Sequence, residues 1–181
     1  MTTTYDLLQK EATGNKQLYT LLRFACQCEH ATALTLNTWE AATVFAATRV
    51  KTAKIFNLAP IDEPIINLYK ELAPNVELAK LEGDIEPTDI LYINTPAEGN
   101  YRASELTRHA KNVRKYILLP NTVTNAHQPS NNIKLAEGIT PIGLAFGINH
   151  FLQNNDNWFI LEHDDIDPGM TILVNRDNVS I

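Results

Sequence analysis

Asn94 and Asn121 carry the first chemical question this sequence poses. Each closes a short apolar run, Asp89-Ile-Leu-Tyr-Ile-Asn-Thr and Lys115-Tyr-Ile-Leu-Leu-Pro-Asn-Thr, with a charged stretch of helical spacing between them. The pattern reads as strand, helix, strand from Asp89 to Thr122. In an open parallel sheet, ligands and chemistry sit outside the carboxyl ends of the strands. A hard divalent cation there takes oxygen ligands, and carboxylates supply the charge that holds it. Two amides supply oxygen without charge, so the strand ends are in the right place with the weaker chemistry.

Other residues add candidates. His127 follows the second of these strands, and an imidazole titrates where a general base must; a solvated loop histidine is the plainer reading. The acidic stretch Glu162, His163, Asp164, Asp165 and Asp167 has oxygen ligands for calcium but lacks the spacing and distal Glu of a calcium loop. It reads as a solvated hairpin tip. Arg108, Lys111, Arg114 and Lys115 fall along one helix and its end, which suits a solvated face better than a phosphate site. Cys26 and Cys28 are too close for an unstrained disulfide and lack partners for zinc, so they read as reduced residues of a cytoplasmic protein. Trp39 and Trp158 read as core or interface anchors.

These residues need a scaffold. A chain of 181 residues with 44% hydrophobic content suits a single domain over 1–181 with its own core. A formal charge of -6 argues against a nucleic-acid surface. No signal segment opens the sequence, and no apolar run approaches the ~20 residues of a membrane span. Residues 1–30 form a helical segment in two pieces, broken near Gly14-Asn15. Strands follow at Thr32 to Leu36, Lys54 to Leu58, Glu77 to Leu81, Ile90 to Ile93 and Tyr116 to Leu119. Helices fall at Thr38 to Val50, with Thr38 as N-cap, then at Ile65 to Ala73, Tyr101 to Val113 and Pro141 to Gln153. Trp158 to Glu162 and Met170 to Val174 form a terminal hairpin. The predicted architecture is α/β: a Rossmann-like, doubly wound, mostly parallel seven-stranded sheet with a C-terminal antiparallel hairpin.

This order of elements resembles the class I S-adenosylmethionine-dependent methyltransferases. Within them it is most similar to the sugar and macrolide O-methyltransferase and cephalosporin hydroxylase-like group. Asp89-Ile-Leu-Tyr-Ile-Asn-Thr with Tyr101, Glu105, His109 and Ala110 resembles that group's fourth strand and following helix. Val113-Arg-Lys-Tyr-Ile-Leu-Leu-Pro-Asn-Thr resembles its fifth strand. Gly143 to Phe151, Trp158 and Pro168-Gly-Met-Thr-Ile-Leu resemble its last helix and hairpin. The likeness spans about residues 20 to 176.

The resemblance implies positions for a cofactor and a metal, and this chain departs from the family at most of them. Leu36 and Glu40 stand at the glycine places of the cofactor turn, within Thr35-Leu-Asn-Thr-Trp-Glu. Glu40 sets a carboxylate beside the cofactor's own, and Trp39 is placed to plug the pocket. Ala59 stands where an acidic residue would take the ribose hydroxyls, with Asp62 three residues on. Asp84 keeps the acidic turn that faces the adenine. Asn94, Pro120 and Asn121 replace the aspartate and His-Asp pair of magnesium-using relatives, and Glu98 or Gly99 stands near a lost histidine.

Two readings follow. In the first, the chain has lost S-adenosylmethionine-dependent catalysis, takes no cofactor and works as a binding or scaffold protein. Its partner is then an unknown protein or small molecule, and a homo-oligomer is one form this takes. In the second, it is an active O-methyltransferase for a sugar or other small hydroxyl substrate, with S-adenosylmethionine and magnesium. Glu40, Asp62, Asp84, Glu98 and Asn121 then rebuild the pocket, and His127 is the base.

Overall fold

A computed structural model describes residues 15–36, 38–48, 50–58, 63, 67, 73–129 and 142–178. Helix α1 (Lys16–Ala25) is capped by Asn15, whose side chain accepts the N–H groups of Gln17 and Leu18 at 3.1 and 3.2 Å. Strand β1 (His30–Thr35) leads directly into α2 (Thr38–Ala47). Then come β2 (Thr52–Asn57), β3 (Val76–Ala79) and β4 (Thr88–Asn94). Helix α3 (Gly99–His109) precedes β5 (Val113–Pro120), and α4 (Leu144–Gln153) precedes the hairpin β6 (Trp158–Asp164) and β7 (Met170–Asn175).

The seven strands lie in the order β3-β2-β1-β4-β5-β7-β6. The first five are parallel, and β7 runs antiparallel between β5 and β6. Neighbouring residues on a strand face opposite ways, so each strand feeds two cores. Ile55, Tyr92, Leu118 and Ile172 join α1 and α2 on one face. Phe56, Ile93, Ile117 and Leu173 join α3 and α4 on the other. Burial on both faces explains why β4 and β5 read as unbroken apolar runs. Helices α3 and α4 approach closely where a Cβ on Gly147 would fall 2.1 Å from the Gly99 carbonyl oxygen. Only glycine permits that crossing.

The predicted architecture holds, with shifted ends. The helix expected over Thr38 to Val50 stops at Ala47, and Thr38 is its first residue. Its buried hydroxyl has no hydrogen-bond partner among the described residues, so the expected capping bond is not made there. Strand β5 begins at Val113 because the helix before it ends at His109 and a short 3-10 turn spans Ala110–Asn112. Helix α4 is described from Leu144. Pro141, the first helical piece before Gly14 and most of the helix expected over Ile65 to Ala73 lie outside the described residues.

Candidate functional site

The sheet order reverses between β1 and β4, and the crevice of an open α/β sheet forms at that switch point. Asn94 ends β4 there. Asn121, one residue past β5, has φ 62°, a left-handed conformation that asparagine tolerates better than most residues. The turn brings the two amides together, and Asn121 Nδ2 donates to Asn94 Oδ1 at 3.4 Å. Gln17 of α1 donates to Asn121 Oδ1 at 3.4 Å and to the Gly169 carbonyl at 2.9 Å. Sequence reasoning brought the two asparagines to one edge; the structure shows that they bond to each other and to α1.

Magnesium does not fit this corner. The oxygens that would face it accept hydrogen bonds from neighbouring amides, and neither carries charge. Among the described residues no group of three or more His, Cys, Asp or Glu is placed to hold a metal ion.

Glu40 lies in the first turn of α2, and burial raises its carboxyl above the ordinary range. Its charge reaches the buried Tyr92 phenol, whose pKa is raised by burial first and by Glu40 second. Leu36 is half-exposed just past β1, and its N–H donates to the Asn94 carbonyl at 3.1 Å. It extends the β1–β4 pairing where the family resemblance implies a glycine turn. A cavity of about 110 Å³ has Leu34, Leu58, Leu81 and Tyr101 as walls, with Glu105 and His109 also lining it. That is small beside the roughly 300 Å³ at which ligand pockets usually begin. Ala59, Asp62 and the Trp39 side chain lie outside the described residues.

Two acids do structural work. Glu98 caps α3: its buried carboxylate accepts the Tyr101 N–H at 2.7 Å and the Asn100 amide at 3.2 Å. Asp84 is tied to Arg108 at 3.0 Å and to Lys111 at 2.7 Å. Hydrogen bonds from Lys111 and then Arg108 lower its carboxyl to about 2. Arg114 lies 3.7 Å from Asp89, and Lys115 donates to the Gln27 carbonyl at 3.1 Å. The basic cluster is therefore largely engaged with the chain itself.

His127 is exposed in the turn after β5, six residues past Asn121. In the acidic hairpin, Glu162 pairs with Arg23, Asp164 with Lys16 at 2.7 Å, and Asp167 accepts the Thr124 hydroxyl at 2.6 Å. Cys26 and Cys28 are free thiols, and burial pushes that of Cys28 up to about 12.

Sequence reasoning missed one cluster beside the crevice. Arg102, fully buried, donates to the carbonyls of Ile93 at 2.8 Å and Thr95 at 3.3 Å, on either side of Asn94. Glu105 accepts the Thr95 hydroxyl at 2.8 Å and lies 3.7 Å from Arg102 Nε. Burial raises the Glu105 carboxyl, and Arg102 and Thr95 oppose it. Arg102 stands at helical spacing from Leu106 and His109, and that was the available signal for a charge facing the core.

No family model and no curated protein matches the sequence. Solved structures share its fold. A Staphylococcus aureus protein described as a caffeoyl-CoA O-methyltransferase superposes with a TM-score of 0.61 at 10% identity, covering 96% of this chain and 92% of that one. The Bacillus cereus O-methyltransferase, in complex with S-adenosylhomocysteine, gives 0.57 at 11% identity, over 95% and 90% of the two chains. Aeropyrum pernix fibrillarin, with natively bound S-adenosylmethionine, gives 0.57 at 14% identity, over 81% and 66%. By strand order, hairpin and these superpositions, the chain has the class I methyltransferase fold, related to that of the O-methyltransferases.

Proposed function

We propose that this chain is a methyltransferase-fold protein that has lost S-adenosylmethionine-dependent catalysis and acts by binding, as a scaffold or as a receptor for a small ligand. One observation carries the reading: Asn94 and Asn121 bond to each other where the family resemblance implies charged ligands. The cap role of Glu98 and the ion pairs of Asp84 support it, since two further acids of the crevice region are engaged elsewhere. Its free thiols suit a reducing, cytoplasmic setting. No described helix is long and apolar enough to cross a membrane.

A second reading has a specific observation in its favour. The Bacillus cereus and Aeropyrum pernix proteins hold S-adenosylhomocysteine and S-adenosylmethionine in this same fold. The comparisons therefore favour an active O-methyltransferase for a small hydroxyl substrate, while the chemistry of the amide corner favours the first reading. At 10 to 14% identity the likeness speaks for the fold alone, so the corner decides our conclusion. Under the second reading His127 is the base, and transfer that proceeds without magnesium at the amide corner rests on positioning.

Calorimetric titration with S-adenosylmethionine and S-adenosylhomocysteine, each with and without magnesium, separates the two. The proposal expects no heat at millimolar ligand. Micromolar binding without magnesium overturns it in favour of metal-free transfer. Binding that requires magnesium refutes the assignment of the amide corner as well.

A further inference from the structure

Three leucines and two buried polar groups meet in the cavity of about 110 Å³. Leu34 comes from β1, and Leu58 and Leu81 from the chain just past β2 and β3. Tyr101, Glu105 and His109 come from α3 at spacings of four, so they share one face of that helix. Leu58 and Tyr101 are half-exposed and mark the open side. Glu105 and His109 are 8% and 2% exposed and mark the inner end.

Both inner groups have hydrogen-bonding capacity to spare. Neither ring nitrogen of His109 has a hydrogen-bond partner among the described residues, and Nδ1 is wholly buried. Glu105 gives Oε2 to the Thr95 hydroxyl at 2.8 Å, while its Oε1 has no hydrogen-bond partner among them. Buried polar groups are almost always hydrogen-bonded, and an exception of this kind calls for a partner. Burial first, then the charge of Arg108, lowers the His109 imidazole below its ordinary value. At pH 7 the ring is therefore neutral, with one donor and one acceptor.

Size and charge narrow the partner further. Arg102 lies 3.7 Å from Glu105, and Arg108 lies 3.0 Å from Asp84, so the charges around the cavity are already balanced and a neutral ligand suits it. An apolar cavity of about 150 Å³ takes benzene, so this one takes about five non-hydrogen atoms. Glu105 and His109 stand about 6 Å apart along the helix axis. A ligand that meets both needs two polar atoms, one donor and one acceptor, on an otherwise apolar body.

We propose that this cavity binds a five-membered azole ring, free or as the end group of a larger neutral molecule that leaves past Leu58 and Tyr101. The ring faces lie against the leucines, its N–H donates to Glu105, and its second nitrogen accepts from His109. The inference rests on the reading that the chain holds a small ligand rather than S-adenosylmethionine, and it names that ligand's class.

Pyrazole is the probe, followed in the full chain by NMR of the His109 ring protons and of the Leu34, Leu58 and Leu81 methyl groups. Saturable shifts at all four residues are expected in the millimolar range, as befits so few atoms. 1-Methylpyrazole lacks the N–H and should bind about tenfold more weakly, because it leaves a buried acceptor unmet. His109→Leu should weaken pyrazole by about tenfold. Leu58→Trp, at a half-exposed site, fills the mouth and should abolish the shifts at Leu34 and Leu81 in a folded chain. Silence from pyrazole at tens of millimolar, with S-adenosylhomocysteine equally silent, overturns the inference and leaves the loss of the cofactor standing. Equal affinity for the two pyrazoles, or shifts undiminished in Leu58→Trp, also overturns it. S-adenosylhomocysteine that displaces pyrazole overturns both, since the cavity is then part of a cofactor site.

Discussion

The two ends of strand β4 treat charge in opposite ways. At its amino end Asp89 is a buried carboxylate that accepts the N–H groups of Glu29 and His30 at 2.9 and 3.0 Å. Burial pushes its carboxyl up, but these bonds, with Lys115 and Arg114, hold it below the ordinary value. At the carboxyl end stands Asn94, neutral and bonded to another amide. Arg102 and Glu105 of α3 are buried and reach the backbone on either side of it and Thr95. Charge is kept where it fastens strands together and is missing where it would meet a ligand. A chain assembled only for stability would show the first end, and an enzyme of the magnesium-using kind would show acid at both.

The largest test of this contrast is removal of Arg102. It leaves the Glu105 carboxylate buried without its cation and two carbonyls around Asn94 without donors. Arg102→Ala is expected to cost about 3–5 kcal/mol, the range for breaking a buried ion pair. The denaturation midpoint reads it. A cost under about 1 kcal/mol, typical of surface pairs, would show that this cluster does not fasten the β4–α3 turn.

At the other end, Asp89→Ala strands two backbone N–H groups and is expected to cost about 2–3 kcal/mol at neutral pH. The sign with pH follows from its depressed carboxyl. The folded state holds fewer protons than the unfolded one, so the stabilisation is full above the ordinary aspartate value of about 3.9 and fades as pH falls through the lower folded value. The wild-type advantage over Asp89→Ala should therefore shrink on acidification below about pH 4. An advantage that grew in acid would contradict the assignment.

Charge put back at the carboxyl end asks the reverse question. The double change Asn94→Asp and Asn121→Asp sets two carboxylates where amides now share a hydrogen bond of 3.4 Å. Repulsion should lower stability by roughly 1–2 kcal/mol at neutral pH, seen as a fall in melting temperature. Acid or millimolar magnesium should recover it, since either neutralises the pair. Magnesium that raises the melting temperature of the wild type as much as that of the variant would show that the present amides already hold the ion.

How much of this was legible in the sequence depends on which forces set each feature. The sheet was legible because apolar runs such as Ile90 to Ile93 and Tyr116 to Leu119 must be buried on both faces. Element ends were less so: Thr38 has the chemistry of a cap but lies inside the first turn. The amide corner was half legible. Strand periodicity brings Asn94 and Asn121 to one edge, but their hydrogen bond requires the left-handed turn at Asn121 and the reach of Gln17 from a helix more than a hundred residues away. Glu98 and Asp84 looked like pocket acids because sequence shows charge without its partners. The structure supplies those partners in Tyr101, Arg108 and Lys111.

The smallest expected effect belongs to Glu40, whose carboxyl burial raises without an opposing cause. Burial disfavours its charged form, so the folded state holds its proton to higher pH than the unfolded chain does. The sign is opposite to that of Asp89: its contribution is full below the ordinary glutamate value of about 4.3 and is lost as pH rises through the raised folded value. Glu40→Gln should remove that slope and gain less than about 1 kcal/mol at neutral pH, since the group is only half-buried. Parallel pH titrations of stability for both proteins measure it. Should Glu40→Gln lose stability at neutral pH, the carboxylate would be making a favourable contact in the folded crevice. Acid would then be retained at the ligand end of the sheet after all, and the contrast between the two ends of β4 would narrow to the metal corner alone.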